Sequence, residues 1–187
     1  MPGSRQSEID KLLKPSLDSF QYMKSKGYKF KIKIPTFYKY KAKLEKSISA
    51  YDLDFEIILD EGEKIKFFYS ADVALVASGS ATLELSAAKL PMVVIYKLNL
   101  LNSVFALLLN LHKRSISLPN LILKKNLVPE LIQKDCNANN ISKNLLELFN
   151  DEKKRNSQLK GFSEIHEIMK ISNNEEELND LFNTYLS

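Results

Sequence analysis

Asp72-Val73-Ala74-Leu75-Val76-Ala77-Ser78-Gly79-Ser80-Ala81-Thr82-Leu83-Glu84 changes its periodicity halfway along. Residues 72–77 form a short apolar run with no polar alternation, the pattern of a strand buried on both faces of a parallel sheet. Ser78-Gly79-Ser80 breaks the run, and a helix is predicted from Ala81 to Lys89. A strand, a small-residue turn and a helix in that order put residues 78–84 at the carboxyl end of a strand, where open α/β sheets bind their ligands. Ser78, Ser80, Ala81 and Thr82 could there offer hydroxyls or amides to a diphosphate. Glu84, one turn into the helix, could accept hydrogen bonds from two ribose hydroxyls. The same residues also make a helix start, with Ser80 as cap and Glu84 favouring the positive end.

Working outward, strand-like and helix-like periods alternate, which is the signature of βαβ units. Toward the N-terminus, Ile9, Leu12, Leu13, Leu17, Phe20 and Met23 share one helical face that Gly27 closes. Tyr28 to Ile34 alternates lysine with apolar residues up to Pro35 and predicts a strand. A helix follows near Tyr38 to Ala50, then a strand over Phe55 to Leu59 and a helix over Gly62 to Ser70. Toward the C-terminus, Pro91 stops the Ala81 helix and Met92 to Tyr96 is the next buried strand. Leu100 to Leu111 is predicted helical, Ser117 to Asn120 a loop, and Val128 to Lys134 the start of a short helix with Pro129 near its N-terminus. Helices are also predicted over Asn139 to Phe149 and Asp151 to Leu159, with weaker helical character to Leu186. The expected architecture is a Rossmann-like parallel sheet flanked by helices. Residues 1–162 are expected to form one nucleotide-binding domain and residues 163–187 a helical extension.

Composition narrows the class. The 187 residues are 44% hydrophobic, enough for a packed domain and too many for global disorder. Cys136 is the single cysteine and His112 and His166 the two histidines, so neither an intrachain disulfide nor a zinc-ligand spacing is available. A reducing cytoplasm fits. Met1-Pro2-Gly3-Ser4-Arg5 has no basic-then-apolar signal pattern, and the longest apolar run, Leu100 to Leu111, is short of the roughly 20 residues that span a bilayer. The net charge of +4 hides a cluster: Lys24, Lys26, Lys29, Lys31, Lys33, Lys39, Lys41, Lys43 and Lys46 meet one acid, Glu45, within their stretch. Such a face either attracts anionic lipid or nucleic acid or is simply solvated. No nucleic-acid motif accompanies it, and no nucleic-acid partner is expected.

Two further segments carry chemistry. Pro2-Gly3-Ser4-Arg5 opens the first helix, where glycine permits close backbone approach, serine offers a hydroxyl and arginine a bidentate fork for an anion. Ser117-Leu118-Pro119-Asn120 and Val128-Pro129-Glu130-Leu131-Ile132-Gln133 supply Asn120, Glu130 and Gln133 as candidate base or sugar contacts, since side-chain amides both donate and accept. Each can equally be a turn or cap residue.

Taken together and in order, these segments resemble the C-terminal domain of the lipid-A-disaccharide synthase family. The resemblance rests on Pro2 to Arg5 with Glu8-Ile9, Ala71-Asp72, Ser78 to Glu84 with Ser80 where the family usually has threonine, Pro91 to Tyr96, Ser117 to Asn120, and Val128 to Gln133. It covers roughly residues 2 to 162. It implies one half of a GT-B glycosyltransferase, the half that binds the UDP-sugar. The implied reaction moves 2,3-diacylglucosamine from its UDP derivative onto 2,3-diacylglucosamine 1-phosphate, giving a β-1,6 disaccharide and UDP, with no obligatory metal and no cofactor. Ser4 and Arg5 would meet the diphosphate or sugar, Ser78, Ser80, Ala81 and Thr82 would donate, Glu84 would hold the ribose, and Asn120 and Gln133 would add nucleotide contacts.

The resemblance also implies that the general base and acceptor surface lie in an N-terminal domain to which no residue here corresponds. No catalytic residue is therefore expected in this chain, which would act with an acceptor domain on another chain and be inactive alone. The strand that should precede the Gly3 turn is likewise expected to be missing. The alternative is a non-catalytic UDP-binding or interaction remnant of a split synthase. Leu100 to Leu111 with His112-Lys113-Arg114 could dip into the inner-membrane interface, which would make the cytoplasmic protein peripheral, or be buried in the domain or in a subunit contact.

Overall fold

The computed structural model describes residues 1, 3–97 and 115–171. The expected helix over Leu100 to Leu111 and the end of the C-terminal extension fall outside them. Helix α1 (Gln6–Ser25) leads to β1 (Ile32–Pro35), a 3-10 turn (Tyr38–Tyr40) and α2 (Lys41–Ile48). Then come β2 (Phe55–Ile58), α3 (Glu61–Ser70), β3 (Ala74–Ala77), α4 (Ala81–Ala87) and β4 (Met92–Tyr96). The described C-terminal part holds α5 (Leu118–Leu123), β5 (Glu130–Ile132), a second 3-10 turn (Gln133–Asp135), α6 (Ala138–Asn150) and α7 (Glu152–Ile171). The chain is α/β, with parallel strands flanked by helices.

Every strand pairing is parallel. β1 pairs with β2, Ile32 opposite Phe55 and Pro35 opposite Ile58. β3, β4 and β5 form a second ladder with β4 central, Val76 opposite Val94 and Ile95 opposite Leu131. Alternation along β3 and β4 builds both layers of the core. Leu75, Ala77, Val93 and Ile95 face α1 and α6, packing with Leu12, Met23, Ile141, Leu145 and Leu148. Val76, Met92 and Val94 face the other way, toward Phe68, Leu85, Phe162 and Ile165. α7 runs unbroken through residue 162, and Gln158 fixes it to β4, its amide accepting from the Met92 N–H (2.8 Å) and donating to the Met92 carbonyl (3.1 Å). α1 also reaches the first ladder, where Ile9, Leu13 and Leu17 pack with Ile32 and Ile34. One helix thus joins the two ladders.

Two local expectations are corrected. Residues 118–123, expected to begin as a loop, form α5, because Pro119 occupies the first turn, where the missing N–H costs nothing. Residues 130–132, expected to open a helix at Pro129, instead add a strand to β4, and the Val94 N–H donates to the Pro129 carbonyl (2.9 Å). Burial of Leu131 against the sheet outweighs the weak local signal for a helix.

Four of the nine lysines in the cluster pair with three acids that the fold brings in from elsewhere. Lys24 pairs with Asp52, Lys31 and Lys33 with Glu56, and Lys43 with Asp10. Lys39 lies over the rings of Phe37 and Tyr40.

Candidate nucleotide-binding crevice

The carboxyl ends of β1, β2 and β3 open into one crevice of about 310 Å³. Gly3, Ser4 and Arg5 form one wall, Ser78, Gly79, Ser80, Ala81 and Glu84 the facing wall, and Thr36, Asp60 and Lys64 close the side toward β1 and β2. Two turns about 75 residues apart in sequence therefore share a single cleft. It lies outside the carboxyl ends of parallel strands, where open α/β folds bind their ligands.

Each wall is shaped by local chemistry. Gly3 has φ +114°, and a Cβ there would lie 2.4 Å from Glu8 Oε2, so only glycine fits. Glu8 Oε2 accepts from the Ser4 N–H (2.9 Å) and the Arg5 N–H (3.3 Å), filling the turn's amides with the protein's own carboxylate. The Tyr40 hydroxyl donates to the Ser4 carbonyl (3.1 Å) and ties the turn to the segment after β1. Ser4 and Arg5 are exposed.

On the facing wall, Gly79 has φ +154° and nothing within 4 Å of where a Cβ would stand. The Thr82 hydroxyl donates to the Gly79 carbonyl (2.7 Å), so buried Thr82 braces the turn from within. Ser80 begins α4 but its hydroxyl makes no cap bond, and it is exposed at the crevice. The Ser78 hydroxyl donates to the Ile116 carbonyl (2.8 Å), linking this wall to the loop before α5.

Lys64 was not singled out in the sequence. Its Nζ lies 2.7 Å from Glu84 Oε2 and 2.9 Å from Glu61 Oε2, and its side chain is 15% exposed. Burial alone would lower the Lys64 pKa, but hydrogen bonds and charge from Glu84 and Glu61 outweigh it and raise the pKa above the ordinary lysine value. The crevice therefore keeps a fixed cation at neutral pH. Thr36 was missed as well: its Oγ1 is buried with no hydrogen-bond partner among the described residues.

Asn120 and Gln133 do not line this crevice. Asn120, 2% exposed, accepts from the Leu127 and Val128 N–H groups (both 2.8 Å) and donates to the Val128 carbonyl (2.9 Å) and Glu130 Oε1 (2.8 Å). Glu130 also receives the Ile116 N–H and the Ser117 N–H and hydroxyl. These residues hold the loop that receives Ser78. Gln133 lies just past β5 on the same edge of the sheet, with φ +51° and a buried Nε2 that has no partner among the described residues. Among the described residues no group of three or more histidine, cysteine, aspartate or glutamate side chains is arranged to hold a metal ion. None of their helices is long and apolar enough to cross a membrane.

The family model for lipid-A-disaccharide synthetase matches residues 1–181. A lipid-A-disaccharide synthase of Francisella philomiragia is 34% identical over 180 residues, covering 94% of this chain and 46% of its own length. One from Francisella tularensis subsp. tularensis is 33% identical, covering 91% and 45%. The chain thus spans about half the length of the curated relatives it matches. With the match running along nearly the whole sequence and through both crevice turns, the chain belongs to the lipid-A-disaccharide synthetase family.

Proposed function

We propose that this chain is the UDP-sugar-binding half of a lipid-A-disaccharide synthase and that the crevice between the Gly3 and Ser78 turns is its donor site. The observation that carries the reading is the convergence of Arg5, Lys64, Ser78, Ser80 and Glu84 on one cavity at the carboxyl edge of a parallel sheet. Arg5 supplies positive charge for a diphosphate, and Lys64 offsets the Glu61 and Glu84 carboxylates beside it. Ser4, Ser78, Ser80, Ala81 and Thr82 shape or donate into the turns around it, and Glu84, held in place by Lys64, is the acceptor for the ribose hydroxyls. Gln133 supplies a further nucleotide contact from the end of β5, and Asn120 acts through the loop it braces. The donor is the UDP derivative of 2,3-diacylglucosamine, the acceptor 2,3-diacylglucosamine 1-phosphate, and the products are the disaccharide and UDP. The Arg5 guanidinium and the donors of the Ser78 turn stabilise the leaving diphosphate. The general base and acceptor surface belong to the remaining half of the synthase, so the chain alone binds donor and does not turn over.

Calorimetric titration tests this. UDP is expected to bind saturably, one per chain. Arg5→Ala should weaken UDP roughly tenfold, about 1.4 kcal/mol, as loss of one charge-assisted contact does, and leave uridine unaffected. Glu84→Ala should weaken both. Disaccharide formation by the purified chain would sink the claim that the base lies elsewhere. A second reading, a non-catalytic remnant, is favoured by the Glu8 carboxylate on the turn amides. A folded chain that ignores UDP would establish it.

A further inference from the structure

The first turns of α3 and α4 meet along one side of the crevice, and a single lysine joins them. Asp60 caps α3, its side chain accepting from the Glu63 N–H (2.8 Å), and the Lys64 N–H donates to the Asp60 carbonyl (3.0 Å). Lys64 therefore stands one turn into α3. Ser80 begins α4 and puts Glu84 at the same position of that helix. Lys64 Nζ spans the gap, 2.7 Å from Glu84 Oε2 and 2.9 Å from Glu61 Oε2. It is also held from within, because Nζ lies over the ring of the core residue Phe68, 5.6 Å from its centre.

Helix stability does not account for a lysine at this position. A cation in the first turn opposes the helix dipole, which Glu61, Glu63 and Glu84 favour. Nor is the ammonium free for a ligand anion, since two carboxylates hold it. What it controls is Glu84. Among the described residues Lys64 is the one partner of the Glu84 side chain, and it takes Oε2. A carboxylate has about four lone-pair sites, so clamping Oε2 leaves Oε1 for hydroxyl donors. Glu61 is the more exposed of the two acids, 70% against 45%, and is the better hydrated partner. Without the ammonium the two like charges would repel and nothing would keep Glu84 at the wall.

We propose that Lys64 is a positioning residue that, by clamping Glu84, makes the crevice select a nucleoside diphosphate with both ribose hydroxyls over its 2′-deoxy counterpart. The role of Glu84 rests on the donor-site reading; the clamp rests on the Lys64 geometry. Discrimination follows because a site built to hydrogen-bond a hydroxyl keeps an unpaired acceptor when that hydroxyl is missing. The penalty requires an acceptor that cannot move away. A Glu84 free to turn into solvent finds water instead and reads neither sugar.

The test is calorimetric titration of the full chain with UDP and with 2′-deoxy-UDP. The parent is expected to favour UDP about tenfold, as one hydrogen bond to a charged acceptor does. Lys64→Met keeps the bulk of the stem and removes the clamp, so UDP affinity should fall to that of 2′-deoxy-UDP, which itself changes less than about twofold. Lys64→Arg restores the cation and should recover most of the preference. In a Glu84→Ala background Lys64→Met should alter UDP affinity by less than about twofold, because the clamp then has nothing to hold. If Lys64→Met lacks a cooperative urea transition, Lys64→Gln takes its place and must show the same loss of preference. The proposal fails if the preference in the Lys64 variant stays within about twofold of the parent, or if both nucleotides weaken together in both backgrounds, the mark of a structural tie. It fails too if arginine restores nothing. A parent that binds UDP and 2′-deoxy-UDP alike removes Glu84 as the ribose acceptor and the proposal with it. A parent that binds neither removes the donor site itself.

Discussion

At the scale of single residues, the sharpest feature of the crevice is Glu8. Its carboxylate is 17% exposed and holds the Ser4 and Arg5 amides, the groups an anionic ligand would use. The turn is thus self-capped, and a diphosphate must displace the carboxylate or bind beside it against like charge. Glu8→Gln keeps an acceptor for the amides and removes the charge. UDP affinity should rise severalfold, while uridine affinity stays constant and stability falls by about 0.5–1 kcal/mol. Unchanged UDP affinity in calorimetry would mean that the diphosphate does not approach this turn. The Ser78 to Glu84 wall was legible in the sequence because a strand, a glycine turn and a helix start are all local signals. Lys64 and Thr36 were not, since nothing near them in sequence shows that the start of α3 and the end of β1 lie beside a turn formed by residues 3–5.

At the scale of elements, the segments around Asn120 show where local signals lose. Pro129 near the start of the Val128 to Lys134 segment suggested a helix, yet residues 130–132 complete the β4 ladder. Pro119 suggested a loop, yet it starts α5. What organises this region is a side-chain network with no periodicity to read: one buried amide holding two N–H groups, a carbonyl and the Glu130 carboxylate. Asn120→Ala leaves several buried groups without partners and should cost about 2–4 kcal/mol, seen as a lower urea midpoint with an unchanged slope. Because Glu130 also fixes the Ile116 and Ser117 amides, and Ile116 receives the Ser78 hydroxyl, the loss should reach the crevice as faster exchange at the Ser78 amide. A midpoint within 0.5 kcal/mol of the parent would show the network to be dispensable.

At the scale of the whole molecule, both ladders depend on α1, and the Met1 amine buried against β3 bears on how stability responds to pH. Burial pushes the Met1 amine down from its ordinary value of 8.0 to about 5. Between those values the unfolded chain carries a proton there that the folded chain does not, so unfolding takes up a proton and stability must rise with pH. The sign is the opposite of that for a paired lysine such as Lys64, whose raised pKa gives a contribution that disappears only at strongly alkaline pH. Asp10, Asp18 and Glu56 have lowered pKa values and weaken the fold only in acid, below this window. Urea unfolding between pH 5 and 8 should therefore show a steadily rising midpoint that levels off above about 8. N-terminal acetylation replaces the titrating amine with an amide that can still donate to the Leu75 carbonyl, so the acetylated chain should be the more stable form near pH 6 and lose most of the slope. A slope that survives acetylation would place its origin away from the Met1 amine. If the slope disappears, the Met1 amine beside β3 is its source, because there an ionisable group, neutral in the folded chain and protonated in the unfolded one, occupies a position that an amide would fill without titrating.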